Sequence, residues 1–257
     1  MKKLFTSITV LNLISCLLIP PSSAQIVLNE KQTSISLISN DGTESTIKFE
    51  FGLMKQQHVS TPNGDAVIIS IDQGTPILQA GNPDLPKVVA SLIIPDDKDM
   101  EVTITSAHYT DYTNINIAPS KGTLLRNIEP SAIPYTYNND VYEADIFYPK
   151  DLAQLREPYI LRDYRGQTVI VHPFQYNAVT KTLRVYSDIT VKISPKNSGS
   201  VINAFIRNKP LEKVQTEFSH IYDNQFLNYT KNTSRYISLE DHGNMLIISD
   251  SGFMDEM

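Results

Sequence analysis

The stretch Gln167–Ile193, QTVIVHPFQYNAVTKTLRVYSDITVKI, decides the fold class. Its second part, Thr182–Ile193, places Leu183, Val185, Ile189, Val191 and Ile193 on one face, the period of two of a half-buried strand. Gln167–Tyr176 reads as its antiparallel partner and Asn177-Ala178-Val179-Thr180-Lys181 as the turn between them. The second arm is long for a strand, so a bend or bulge is expected near Ser187-Asp188.

The same signal extends upstream as a series of short strands. Thr33–Ser39 alternates through Ile35 and Leu37, Ile47, Phe49 and Phe51 share one face, and Met100–His108 alternates with Val102 and Ile104 on one side. Val67–Ile71 and Val88–Ile94 are apolar enough to suggest strands covered on both faces. Turn residues separate them at Asn40-Asp41-Gly42, Pro62-Asn63-Gly64, Gly81-Asn82-Pro83 and Pro95-Asp96-Asp97. Thirteen Tyr, nine Phe and no Trp agree with a strand-rich chain, and 41% hydrophobic residues suffice for a real core. An all-β, antiparallel sandwich or barrel is therefore expected.

After the loop Pro195–Ser200 the period changes. Leu211, Val214, Phe218, Ile221 or Tyr222, and Phe226 fall at helical spacing, with Pro210 near the start, so one C-terminal helix is expected over 210–227. Asn228–Gly243 has no periodicity and reads as an exposed linker before a further apolar strand, Met245–Ile248.

The N-terminus has the parts of a secretory leader: Lys2 and Lys3, an apolar run from Leu4 to Ile19, then Pro20–Ala24, with cleavage expected after Ala24. A rival reading takes Leu13–Cys16 as a lipobox, with Cys16 as a lipidated first residue. Cleavage after Ala24 removes the only cysteine and shifts the formal charge from −6 to −8, so stability would come from packing without a disulfide. The acidic balance excludes a nucleic-acid partner, and no membrane span is expected.

The usual catalytic constellations are absent from these residues: no nucleophile elbow, no HExxH, no phosphate-binding Gly-rich loop and no CxxC. The five histidines, His58, His108, His172, His220 and His242, lack metal-ligand spacing, and Asp96-Asp97-Lys98-Asp99 lacks the Gly and Glu of a calcium loop and reads as a solvated turn. No metal and no cofactor are expected. Asn228 and Asn232 head N-glycosylation patterns of low specificity. Lys231 and Arg235, in the linker, are sites where a protease could cut this chain.

Several blocks resemble the prodomain of gingipain-type cysteine peptidases, family C25 of clan CD. They are Arg162–Gln167 (RDYRGQ), Pro173–Asn177 (PFQYN), Thr180–Tyr186 (TKTLRVY), and earlier Gly81–Pro86 (GNPDLP) and Ile117–Gly122 (IAPSKG). Arg235-Tyr236 resembles the bond at which such precursors mature, and Gly243–Ile248 resembles the first strand of the peptidase domain. The ordered set runs from about Val27 to the end of the sequence.

The resemblance implies a secreted bacterial zymogen, whose β-sandwich prodomain assists folding and keeps a cysteine endopeptidase latent by occupying its cleft. It implies four parts: a signal peptide, 1–24; a β-sandwich prodomain, 25–209; a helix and processing linker, 210–235; and the truncated opening of an α/β peptidase domain, 236–257. The partner would be the cognate catalytic domain, in the same chain or in trans, and the nucleophile would lie outside these residues. In this family a prodomain loop offers a basic residue to the specificity pocket. The matching segment is Ser120–Pro130, SKGTLLRNIEP, with Arg126 the first candidate and Lys121 the second. An ordinary solvated loop charge is the plain alternative for both. A surface β-sandwich that binds host proteins or glycans is the alternative function.

Overall fold

A computed structural model of the chain describes residues 25–26, 32–196, 201–207, 211 and 214–230. The strands are β1 (Gln25–Ile26), β2 (Ser34–Asn40), β3 (Ser45–Glu50), β4 (Met54–Thr61), β5 (Gly64–Ile71), β6 (Thr75–Pro76), β7 (Pro86–Ile93) and β8 (Met100–Tyr112). A 3-10 turn at Pro130–Ala132 and a one-turn helix, α1 (Asn139–Tyr142), follow. Then come β9 (Ala153–Leu155), β10 (Tyr159–Leu161), β11 (Tyr164–Val171), β12 (Phe174–Asn177), β13 (Thr182–Pro195) and helix α2 (Thr216–Gln225).

Every strand pair is antiparallel. One sheet runs β12-β13-β3-β2, with β8 on the other edge of β13; a second runs β10-β11-β7-β6, with β9 beside β11; β1-β4-β5 form a third. Their inward faces meet in one apolar core that includes Ile47, Phe49, Ile69, Val88, Leu92, Val169, Val171, Phe174 and Leu183. This is the expected all-β sandwich.

The hairpin of the opening stretch forms, but its first arm is split. β11 ends at Val171 and pairs with β7, whereas only β12 turns back onto β13, with Phe174 opposite Val185. Pro173 separates the two; having no N–H, it cannot continue a ladder, and the chain crosses there from one sheet to the other. All five predicted inward residues of β13 are at most 1% exposed. The expected bulge is present between Tyr186 and Asp188, where Ser187 has no residue opposite it on β8.

Two further expectations change. β5 and β7 are not covered on both faces throughout: Ser70 is exposed, and Val89 is 40% exposed. The helix is shorter than 210–227, because Gln215 has an extended backbone (ψ 146°) and the helix begins only at Thr216. Leu211 lies before it and is 39% exposed, so an earlier start would bury little more apolar surface there. The predicted strand Met245–Ile248 and the leader, with Ala24 and Cys16, lie outside the described residues.

What holds α2 is an aromatic cluster on the outer face of β11. Tyr222 and Phe226 pack around Tyr164, with ring centroids 4.9 and 6.4 Å away, and Phe226 stacks on Tyr159 at 6.3 Å. Gly166 is the floor of this cluster. A Cβ there would stand 2.6 Å from Phe226 Cε1 and 2.9 Å from Tyr159 Cζ. Gly166→Ala is expected to cost about 1–3 kcal/mol through overpacking, read as a lower urea midpoint with faster amide exchange in α2.

On the same strand, Arg165 is fully buried. Its guanidinium donates to the carbonyls of Pro95 (2.7 Å), Lys98 (2.5 Å), Ile202 (2.6 Å) and Asn203 (2.9 Å) and pairs with Asp99 at 3.1 Å. Asp96 meanwhile forms an ion pair with Arg207. The acidic run 96–99 is thus an anchoring turn fastened to 201–207, which corrects its reading as a merely solvated one.

Candidate functional site

Two of the sequence blocks, Gly81–Pro86 and Ile117–Gly122, lie side by side and form the base of a long loop. The Gly81 N–H donates to Ser120 O (2.9 Å), the Ser120 N–H to Asn82 O (2.7 Å), and the Asp84 N–H to Ala118 O (2.8 Å). Asn138 completes the base: its N–H donates to Gly81 O (2.9 Å), its amide donates to Asn82 Oδ1 (2.8 Å), and its own Oδ1 caps α1. Gly122 is required where the loop departs, since its φ is +74° and a Cβ would come 2.9 Å from Ala80 Cβ.

Between this base and Pro130 the chain carries both predicted basic residues, and the structure gives them different places. Lys121 turns back across the loop. Its ammonium donates to Pro130 O at 2.7 Å and sits 4.2 Å from the centroid of Tyr135. These contacts join the two ends of the segment 121–130, so Lys121 is a clasp. Arg126 stands at the tip, in a turn closed by the Ile128 N–H donating to Leu125 O at 3.0 Å. It is exposed, and among the described residues it has no hydrogen-bond or ion-pair partner. Its neighbour Leu125 is 69% exposed.

The base of the loop is buried at Gly81, Asn82, Pro83 and Ile117–Ser120. Burial raises Asp84 above the usual carboxylate range, and burial together with the Asp84 charge raises Tyr135. Tyr137 donates to or accepts from Thr61 Oγ1 at 2.6 Å and packs edge-on to Tyr142 at 4.6 Å, while the Tyr142 hydroxyl donates to Ile117 O. An exposed charged tip on a hydrogen-bonded stem is an arrangement that can present one cation to a partner. Among the described residues no three His, Cys, Asp or Glu side chains are grouped to hold a metal ion, and no helix is long and apolar enough to cross a membrane.

Sequence reasoning missed the supports: Tyr135 beneath Lys121 and the Asn82–Asn138 pair. The Gly81-Asn82-Pro83 turn signal marked the first half of the base but gave no hint of what it touches. Arg235 and Tyr236 lie outside the described residues.

The family profile described as Propeptide_C25 matches residues 26–237. The chain belongs to the gingipain-type C25 propeptide family. Gingipain R2 of Porphyromonas gingivalis is 33% identical over 249 residues, which cover 96% of this chain and 33% of that protein. The chain thus spans about a third of the length of that relative. A solved structure described as a complex of Porphyromonas gingivalis RgpB pro- and mature domains contains a chain with 35% identity and a TM-score of 0.69, covering 76% of this chain and 98% of its own. A structure on the zymogenic latency of gingipain K from the same organism matches at a TM-score of 0.59 and 22% identity, over 69% of this chain and 100% of its own, and shows the shared fold. The sandwich is accordingly a gingipain-type prodomain.

Proposed function

We propose that this C25 prodomain holds its cognate cysteine endopeptidase latent by placing Arg126 in the pocket that receives the basic residue of a substrate. The observation that carries the reading is the tip itself: a guanidinium with no partner among the described residues, on a turn whose stem is fastened at both ends. In a desolvated pocket the guanidinium would meet a carboxylate by a charge-assisted, fork-shaped pair, which lets one residue dominate inhibition. The presence of pro- and mature domains together in the RgpB complex supports the choice of partner. The catalytic domain can be reached within the precursor or in trans. Residues 1–24 serve as a signal peptide that exports the precursor, 25–209 form the inhibitory and folding-assisting sandwich, and 210–235 form the helix and processing linker. Cleavage between Arg235 and Tyr236 separates this prodomain from the peptidase domain that opens at 236.

The test is inhibition of the cognate mature peptidase by residues 25–235 added in trans. Absence of inhibition contradicts the reading. Lys121 serves in it as a positioning residue. Lys121→Met is expected to weaken inhibition by about fivefold, because it frees the loop ends while leaving the tip cation in place. The effect should be smaller than that of Arg126→Ala, and an inhibition constant lost entirely in Lys121→Met but kept in Arg126→Ala would reverse the two roles.

A further inference from the structure

The linker that follows α2 is fastened at its first residues. Along β7, Ser91 and Ile93 turn backbone groups toward the edge that β6 leaves uncovered, since β6 pairs only with Pro86 and Lys87. The Leu227 N–H donates to Ser91 O at 3.0 Å. Asn228 then uses its side-chain amide as a strand would use its backbone: Oδ1 accepts from the Ile93 N–H at 2.8 Å, and Nδ2 donates to Ile93 O at 2.8 Å. Nδ2 also lies 3.5 Å from Asn40 Oδ1. Tyr229 closes the clamp, its hydroxyl 3.0 Å from Ser219 Oγ and its ring packed on Tyr164 and Tyr222 at 5.8 and 5.5 Å.

We propose that Asn228 is a positioning residue that makes Arg235, and not Lys231, the cutting point of this linker. The proposal rests on the processing role given above to the Arg235–Tyr236 bond. A protease takes the residues that precede the scissile bond as an extended strand inside its cleft. For a cut after Lys231 those residues are Asn228, Tyr229 and Thr230, of which the first two are held against the sandwich. For a cut after Arg235 they are Asn232, Thr233 and Ser234, which come after the clamped residues in the sequence. Two basic residues that are equivalent in sequence become unequal because one lies too close to an anchored edge. The same contacts engage Asn228 Nδ2, the atom that an N-linked sugar would need.

Trypsin, which accepts both Lys and Arg, reads the clamp directly on the full chain. Initial cleavage rates after Arg235 and Lys231 are measured and normalised to those in a free peptide covering 226–240. The natural chain is expected to favour Arg235 by about tenfold or more, the factor set by breaking the Asn228 pair before Lys231 can enter the cleft. Asn228→Ala should bring the normalised ratio close to one, and Asn228→Asp, which keeps the acceptor but loses the donor, should fall between. Cleavage after Arg184, in the middle of β13, monitors global opening, and the natural-chain ratio stands as a test even where a variant folds poorly. A natural-chain ratio near one, or a ratio unchanged by Asn228→Ala while Arg184 stays protected, overturns the proposal. Failure of the maturation reading would show differently, as processing of the precursor at another bond, and leaves the trypsin ratio unaffected.

Discussion

Arg126→Ala in residues 25–235 is expected to weaken inhibition of the cognate peptidase by about 100-fold or more, the loss that follows when one buried charge-assisted pair at an interface is removed. The fold should not notice. Arg126 is exposed at a turn and makes no hydrogen bond, ion pair or ring contact among the described residues, so the urea midpoint of the variant should match that of the natural sequence. Arg126→Lys separates charge from shape: a pocket built for a guanidinium fork would lose most of the affinity, whereas one that reads only a cation would keep it. Unchanged inhibition by Arg126→Ala removes this residue from the role.

The second large effect is on stability. Arg165→Met is expected to destabilise the sandwich by about 3–5 kcal/mol, since it leaves the Asp99 carboxylate without its cation and several carbonyls of the 95–99 and 201–203 segments without their donor. Lysine cannot rescue it, because one ammonium does not reproduce a planar set of donors aimed at five acceptors. Equilibrium urea unfolding checks this. A loss below about 1 kcal/mol would mean that water replaces the guanidinium at low cost, and that Arg165 is not the staple its contacts describe.

The two arginines show how far the sequence could be read. Arg126 stood out only through a resemblance, because nothing in a polar loop distinguishes one basic side chain from another. The structure gives Lys121 a different place by its clasp onto Pro130, which no strand or helix period encodes. Arg165 stood in the RDYRGQ block as a marker of kinship, yet its work is packing: its partners come from loops 37 to 70 residues away in sequence.

The strands were legible because their period of two is local. Ile47 and Phe49, like Leu183 to Ile193, declare a buried face by alternation alone. What alternation could not show was which sheet a strand joins, so Gln167–Tyr176 read as one arm although Pro173 divides it between two sheets. The helix erred in the opposite direction. Phe218, Tyr222 and Phe226 mark a true stripe, but Leu211, which is exposed, and Val214 continued the spacing ahead of the extended Gln215, where the helix has not begun. Asn228, the first residue of an apparently free linker, turned out to be its anchor, since a side-chain amide completing a sheet edge leaves no periodic trace.

Steady-state kinetics of the cognate peptidase, with a small substrate ending in a basic residue and increasing amounts of residues 25–235, test the central claim most directly. Because Arg126 is held to occupy the pocket that the substrate's basic side chain needs, the prodomain should raise the apparent KM in proportion to its concentration and leave kcat unchanged. A lowered kcat with constant KM, or no inhibition at all, would contradict the account.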